Sequence, residues 1–131
     1  MKYILDTSGW YAVVDADDAF HKEATNFIEE QPRFVVPYPV FEELAAIVHH
    51  RLGKNVARKG IGKLLDSPLV EVVYLSEVDN HSIWQMYEKS AAHLDFVDCS
   101  VIWAAQRSQL PVFTFDKHFQ KAGLQKWQLA N

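Results

Sequence analysis

Apolar residues gather into four short runs along the chain: 2–5 (KYIL), 33–37 (RFVVP), 69–75 (LVEVVYL) and 110–115 (LPVFTF). Each is rich in β-branched or aromatic side chains and has the length of a buried strand. Between them the apolar period lengthens. In DDAFHKEATNFIEEQ, Phe20, Ala24, Phe27 and Ile28 form one helical stripe that ends before Pro32. PVFEELAAIVHHRLG carries Val40, Leu44, Ile47 and Val48 at the same spacing, with Gly53 as its stop. EVDNHSIWQMYEKSA and FVDCSVIWAAQRSQ read as two further helices. Strands alternating with helices require crossover connections. The expected fold is therefore α/β, a three-layer α/β/α sandwich around a mainly parallel central sheet.

No internal repeat, low-complexity tract or linker interrupts the pattern, so residues 1–131 are expected to form one domain. A chain of this size hides roughly 65–70% of its unfolded surface, enough for a sizeable core. At 49% hydrophobic and 23% charged, the composition is that of a globular protein rather than a disordered one. No apolar run approaches the roughly 20 residues of a membrane span. The N-terminus enters a strand without the basic and apolar segments of a signal peptide, which makes the cytoplasm the expected compartment. The single cysteine, Cys99, fits that compartment and excludes an internal disulfide.

A net charge of −4 argues against nucleic-acid binding by overall positive potential, but not against a locally basic surface. Between His49 and Lys63 lie Arg51, Lys54, Arg58, Lys59 and Lys63 with no acid among them. They form either a solvated helix face or a phosphate-contacting strip.

Two apolar runs end on an acid: Asp6 follows the first and Asp116 the fourth. In sheets with crossover helices, sites form beyond the carboxyl ends of the strands, and both residues belong to that edge. Each also suits a helix N-cap. Asp98 is harder to explain by capping alone, because Val101, Ile102 and Ala105 stand three, four and seven residues beyond it, on the apolar face of a helix. Asp95, three residues earlier, reads first as that helix's N-cap and second as a site residue. In FEELAAIV the periodicity leaves Glu42 and Glu43 equally near the border of the apolar stripe. Carboxylates gathered at one sheet edge repel one another unless protons or cations intervene. The fitting occupant is Mg²⁺ or Mn²⁺, hard ions that take oxygen ligands and keep several waters. The hydroxyls of Thr7, Ser8 and Thr114, next to the strand ends, are expected to orient those carboxylates.

The stretches LDTS, FEELAAIVHHRLG, LDFVDCSVIWAA and FTFDKHF, in that order and in a chain of this length, resemble the PIN-domain family. Within it they resemble in particular the small single-domain ribonucleases of VapC type. The resemblance implies a Mg²⁺-dependent endoribonuclease whose acids fall on Asp6, Glu43, Asp98 and Asp116, with Asp95 accessory. Glu43 is chosen over Glu42 by this resemblance, from its distance to Arg51-Leu52-Gly53. It implies further that Arg51, Lys54, Arg58 and Lys59 contact RNA, and that the protein is a homodimeric toxin restrained by a cognate antitoxin. The chain has Ser8 where the family often has Asn, and "PYP" where it often has Ser or Thr ahead of the glutamate. A non-cleaving PIN module that binds RNA or a protein is the nearer alternative. A phosphorelay receiver domain is the more distant one, since Ser76 and Glu77 stand where its acceptor Asp belongs.

Overall fold

All four apolar runs become strands, and every strand pairing is parallel. The computed structural model describes residues 1–124. Along the chain these are β1 (Lys2–Leu5), α1 (Thr7–Val14), α2 (His21–Glu29), β2 (Arg33–Pro37), α3 (Tyr38–Leu52), α4 (Lys54–Asp66), β3 (Val70–Val73), α5 (Glu77–Lys89), α6 (Phe96–Ser108), β4 (Val112–Phe113) and α7 (His118–Lys121). The architecture is α/β, as the alternating pattern requires.

The sheet order is β3-β2-β1-β4. From β1 the chain steps to β2 and then β3 on one side, and later returns to lay β4 on the other. Where the direction of winding reverses, the connections leave β1 and β4 in opposite senses and a crevice opens at their carboxyl ends. The register fixes what faces it. Leu5 pairs with Phe113, so Asp6 and Thr114, the next residues of each strand, stand side by side.

The core forms where the strands meet their covering helices. Ile4, Leu5, Val36, Val112 and Phe113 of the sheet are fully buried, with Leu44 and Val48 of α3 and Val101 of α6 against them. Burying each such side chain contributes about 1.5–3 kcal/mol.

Three departures from the expected elements have local causes. Helix α1 had no clear amphipathic stripe, and it exists because Asp6 caps it and because Trp10 and Ala12 are buried. Its Gly9 lies over the end of β4, where a Cβ would come within 2.7 Å of the Phe113 carbonyl oxygen. Most of the basic stretch, Lys54 to Lys63, turns out to be a separate helix, α4, divided from Arg51 and the rest of α3 by Gly53 at φ 91, a left-handed conformation that costs glycine little. Strand β4 is only two residues long, because beyond Phe113 the chain leaves the ladder and Thr114 turns its hydroxyl to Asp6.

Candidate active site

At the crevice between β1 and β4 lies a cleft of about 550 Å³. Six carboxylates line it: Asp6, Asp18, Glu43, Asp95, Asp98 and Asp116. They come from five places in the sequence, Asp95 and Asp98 sharing the start of α6.

Asp6 leaves β1 in extended conformation and caps α1. It is 4% exposed, and burial pushes its carboxyl above the usual range, against hydrogen bonds from Ser8 and Thr114. Those bonds converge on Oδ2, from Ser8 Oγ at 2.7 Å and Thr114 Oγ1 at 2.7 Å. The two hydroxyls also approach one another to 3.0 Å. Each has one proton, and when both are spent on Asp6 that approach carries no hydrogen bond of its own. Each hydroxyl accepts a backbone N–H as well: Ser8 from Phe115 at 3.0 Å, and Thr114 from Asp116 at 2.9 Å. Asp6 and Asp116 are thus held through one small hydroxyl network. Asp116 in turn accepts the His118 N–H at 2.9 Å and lies 3.2 Å from His118 Nδ1.

Thr7 departs from the expectation that its hydroxyl orients a carboxylate. Its Oγ1 is buried without a hydrogen-bond partner among the described residues, and only its backbone N–H eases the charge on Asp6. The hydroxyls of Ser8 and Thr114, by contrast, both donate to the Asp6 carboxylate.

Asp95 and Asp98 form a reciprocal cap at the start of α6. The Asp95 carboxylate accepts the Asp98 N–H at 2.8 Å, and Asp98 accepts the Asp95 N–H at 2.9 Å. Capping and the cleft are therefore compatible uses of Asp98, which the sequence had set against each other. Val101, Ile102 and Ala105 beyond it are buried, and Asp98 itself is half-buried at the cleft wall. Its carboxyl is pushed up to about 7. Burial is the largest cause, the charges of Asp95 and Asp6 add to it, and the Asp95 N–H works against it.

On α3, Glu43 is partly buried and faces the cleft, whereas Glu42 is exposed and lies outside it. Of the basic residues, Arg51 lines the cleft, with its guanidinium carbon 5.3 Å from the centre of the Tyr11 ring. The Tyr11 hydroxyl is tied to Asp15 at 2.7 Å. Lys54, Arg58 and Lys59 are exposed on α4 outside the cleft wall. Trp10 donates to the Gly60 carbonyl at 3.0 Å and belongs to the core. Sequence reasoning missed Asp18, His93 and His118. His118 had a signal in its place two residues after Asp116, whereas Asp18 was hidden in an acidic run and His93 in a loop.

No three His, Cys, Asp or Glu side chains among the described residues stand close enough together to hold a metal ion without adjustment. The chemistry of the donors nonetheless suits a hard divalent cation. They are carboxylate oxygens, the charges of Asp95 and Asp6 raise the proton affinity of Asp98, and Mg²⁺ is commonly held by one or two carboxylates with waters completing its shell.

The PIN domain family model matches residues 3–124. The chain belongs to the PIN-domain family. This PIN domain shares its fold with the crystal structure of VapC20 from Mycobacterium tuberculosis, described as a Sarcin-Ricin loop cleaving toxin: TM-score 0.88, 21% identity, covering 97% of this chain and 99% of that one. It is also similar to VapBC2 from Rickettsia felis bound to a DNA fragment from its promoter: TM-score 0.68, 13% identity, covering 98% of each chain. A search of curated proteins gave no match. Membership of the PIN-domain family removes the receiver-domain alternative. Consistently, Ser76 and Asp79 after β3 are engaged in a reciprocal helix cap. No described helix is long and apolar enough to cross a membrane.

Proposed function

We propose that this PIN domain is a Mg²⁺-dependent endoribonuclease in which Asp6, Glu43, Asp98 and Asp116 hold the metal, with Mn²⁺ as an alternative ion. The observation that carries the reading is the gathering of these four acids in one cleft, with Asp98 pushed up to about 7 partly by the charge of Asp6. A divalent ion bound there lowers the pKa of an attacking water and neutralises the charge that develops on the phosphodiester. The chain's own residues hold the geometry. Ser8 and Thr114 fix the Asp6 carboxylate, Thr114 fixes the Asp116 backbone, and Asp95 fixes the start of α6 beneath Asp98. Arg51, held against Tyr11, supplies a positive charge for a backbone phosphate at the cleft edge.

By analogy with the VapC and VapBC proteins that share its fold, the substrate is RNA and the partner an antitoxin. A homodimer working in the cytoplasm belongs to the same analogy. The test is cleavage of RNA by the purified chain in Mg²⁺, abolished by EDTA and by Asp98→Asn. A second reading is a PIN module that binds RNA or a protein without cutting. RNA binding without any metal-dependent cleavage would select it.

A further inference from the structure

Phe20 and Phe115 both line the acidic cleft, one from the start of α2 and one from the segment between Thr114 and Asp116. Their rings stack with centroids 4.6 Å apart and planes within 6° of parallel. Phe115 is anchored inward by an edge contact to Phe113 at 5.5 Å, and Phe113 packs on Phe27 at 4.7 Å. The series of rings thus begins in the fully buried core and ends at Phe20, which keeps 40% of its surface exposed.

An apolar ring at the mouth of a polar cleft, covered on one side by Phe115, still leaves 40% of its surface to solvent. It is also fixed in position. The Phe20 N–H is held by Asp18 Oδ1 at 2.9 Å, and its carbonyl accepts the Ala24 N–H at 2.9 Å. Backbone and ring are therefore set before any ligand arrives, which reduces the entropy lost on binding. The other ring pair in the cleft, His93 with His118, is tilted by 52° and engaged with Asp116, and offers no comparable flat surface.

We propose that the Phe20–Phe115 pair is a stacking platform for one unpaired nucleobase next to the scissile phosphate. This inference rests on the nuclease reading and deepens it by naming a feature of the substrate. A flat aromatic surface recognises any base by its π-face, without reading its identity. A base inside a duplex is already stacked on both faces and cannot reach the platform, so the nucleotide beside the cut must lie in a loop, bulge or single strand. The acids around the cleft favour a neutral base at this position over an acidic peptide.

Binding separates this inference from the activity on which it rests. The full-length chain is titrated, in Ca²⁺ in place of Mg²⁺ to suppress turnover, with a short unstructured RNA and with an RNA duplex of the same length. The same titrations are made on Phe20→Leu and Phe20→Trp, with thermal melts to confirm folding. The platform predicts that Phe20→Leu weakens binding of the unstructured RNA by roughly 5- to 100-fold while Phe20→Trp retains it, and that duplex affinity does not change. Equal affinity of the folded Leu variant and the parent for unstructured RNA overturns the platform, and so does an equal loss on the duplex. In both of those cases cleavage by the parent chain still upholds the nuclease reading. A parent chain that neither binds nor cleaves either RNA overturns the nuclease reading and the platform with it.

Discussion

Thr114 donates its hydroxyl to Asp6 Oδ2 at 2.7 Å, joining two residues 108 positions apart in the chain. Both are buried, and Thr114 also accepts the Asp116 N–H, so one hydroxyl serves two acids. Thr114→Val keeps the shape and removes both bonds. It is expected to lower unfolding free energy by about 1–3 kcal/mol, the cost of leaving buried polar groups unsatisfied. Urea denaturation measures this, and an unchanged midpoint would show that Ser8 alone suffices to hold Asp6.

The Asp98 carboxyl sets a pH dependence whose sign follows from its direction of shift. Its folded value, about 7, lies well above the ordinary range of an aspartate. The protonated form is therefore favoured by folding. The associated stabilisation is complete below about pH 4 and is lost as pH rises through 7. Without divalent ions, the melting temperature should fall between pH 5 and pH 8 and fall less in Asp98→Asn, whose amide oxygen can still accept the Asp95 N–H. Asp6, raised by burial, adds to the trend in the same direction. Added Mg²⁺ should raise the melting temperature of the parent chain more at pH 8 than at pH 5, because it binds the ionised carboxylates. Equal pH profiles for parent and variant would remove Asp98 as the source.

The adjacent glutamates of α3 make a controlled comparison. Glu43→Gln should reduce metal-dependent RNA cleavage by roughly a hundredfold or more. Glu42→Gln, on the exposed face, should leave it unchanged. The reverse ranking in initial-rate assays would mean that the helix is rotated in the active protein.

Gly9 tests how tightly α1 seats on β4. Gly9→Ala brings a methyl to 2.7 Å from the Phe113 carbonyl oxygen and 2.8 Å from its ring, inside any ordinary contact distance. Because the clash involves backbone, relief requires moving the helix start that carries Thr7 and Ser8. A loss of about 1–3 kcal/mol is expected, with reduced cleavage alongside. Full stability in the variant would show that α1 has freedom to shift.

The basic residues divide into one inside the cleft and several outside it. Arg58→Ala with Lys59→Ala should flatten the dependence of log affinity on log salt by about 1.4 for single-stranded RNA if both touch phosphates. Arg51→Ala should also lower the cleavage rate. Filter binding across a salt series decides between a phosphate strip on α4 and a plain solvated face.

What could be read from the sequence was whatever depends on nearest neighbours. Strands announced themselves by β-branched runs, α3 and α6 by apolar spacing, and Asp6 and Asp116 by ending such runs. Glu43 and Glu42 could not be separated by periodicity, because both border the stripe and only the seating of α3 in three dimensions turns one inward. Thr7 was misread for a related reason. A hydroxyl beside Asp6 in sequence is not beside its carboxylate in space, while Thr114, distant in sequence, is. Helix α4 was obscured by two glycines and by charges that resemble a loop. Phe20 was legible only as a member of a helical stripe, and its stacking depends on where β4 ends.

The sheet order has a temporal consequence. The first acid of the cleft is made within the first six residues and the last only at Asp116, and the two are joined through the pairing of β1 with β4, the last strand among the described residues. A chain interrupted before β4 lacks Thr114, Asp116 and the partner that fills the free edge of β1. If the cleft cuts RNA, a half-made copy lacks part of the acid set that does the cutting, because Asp116 is the last of the cleft's acids to be synthesised.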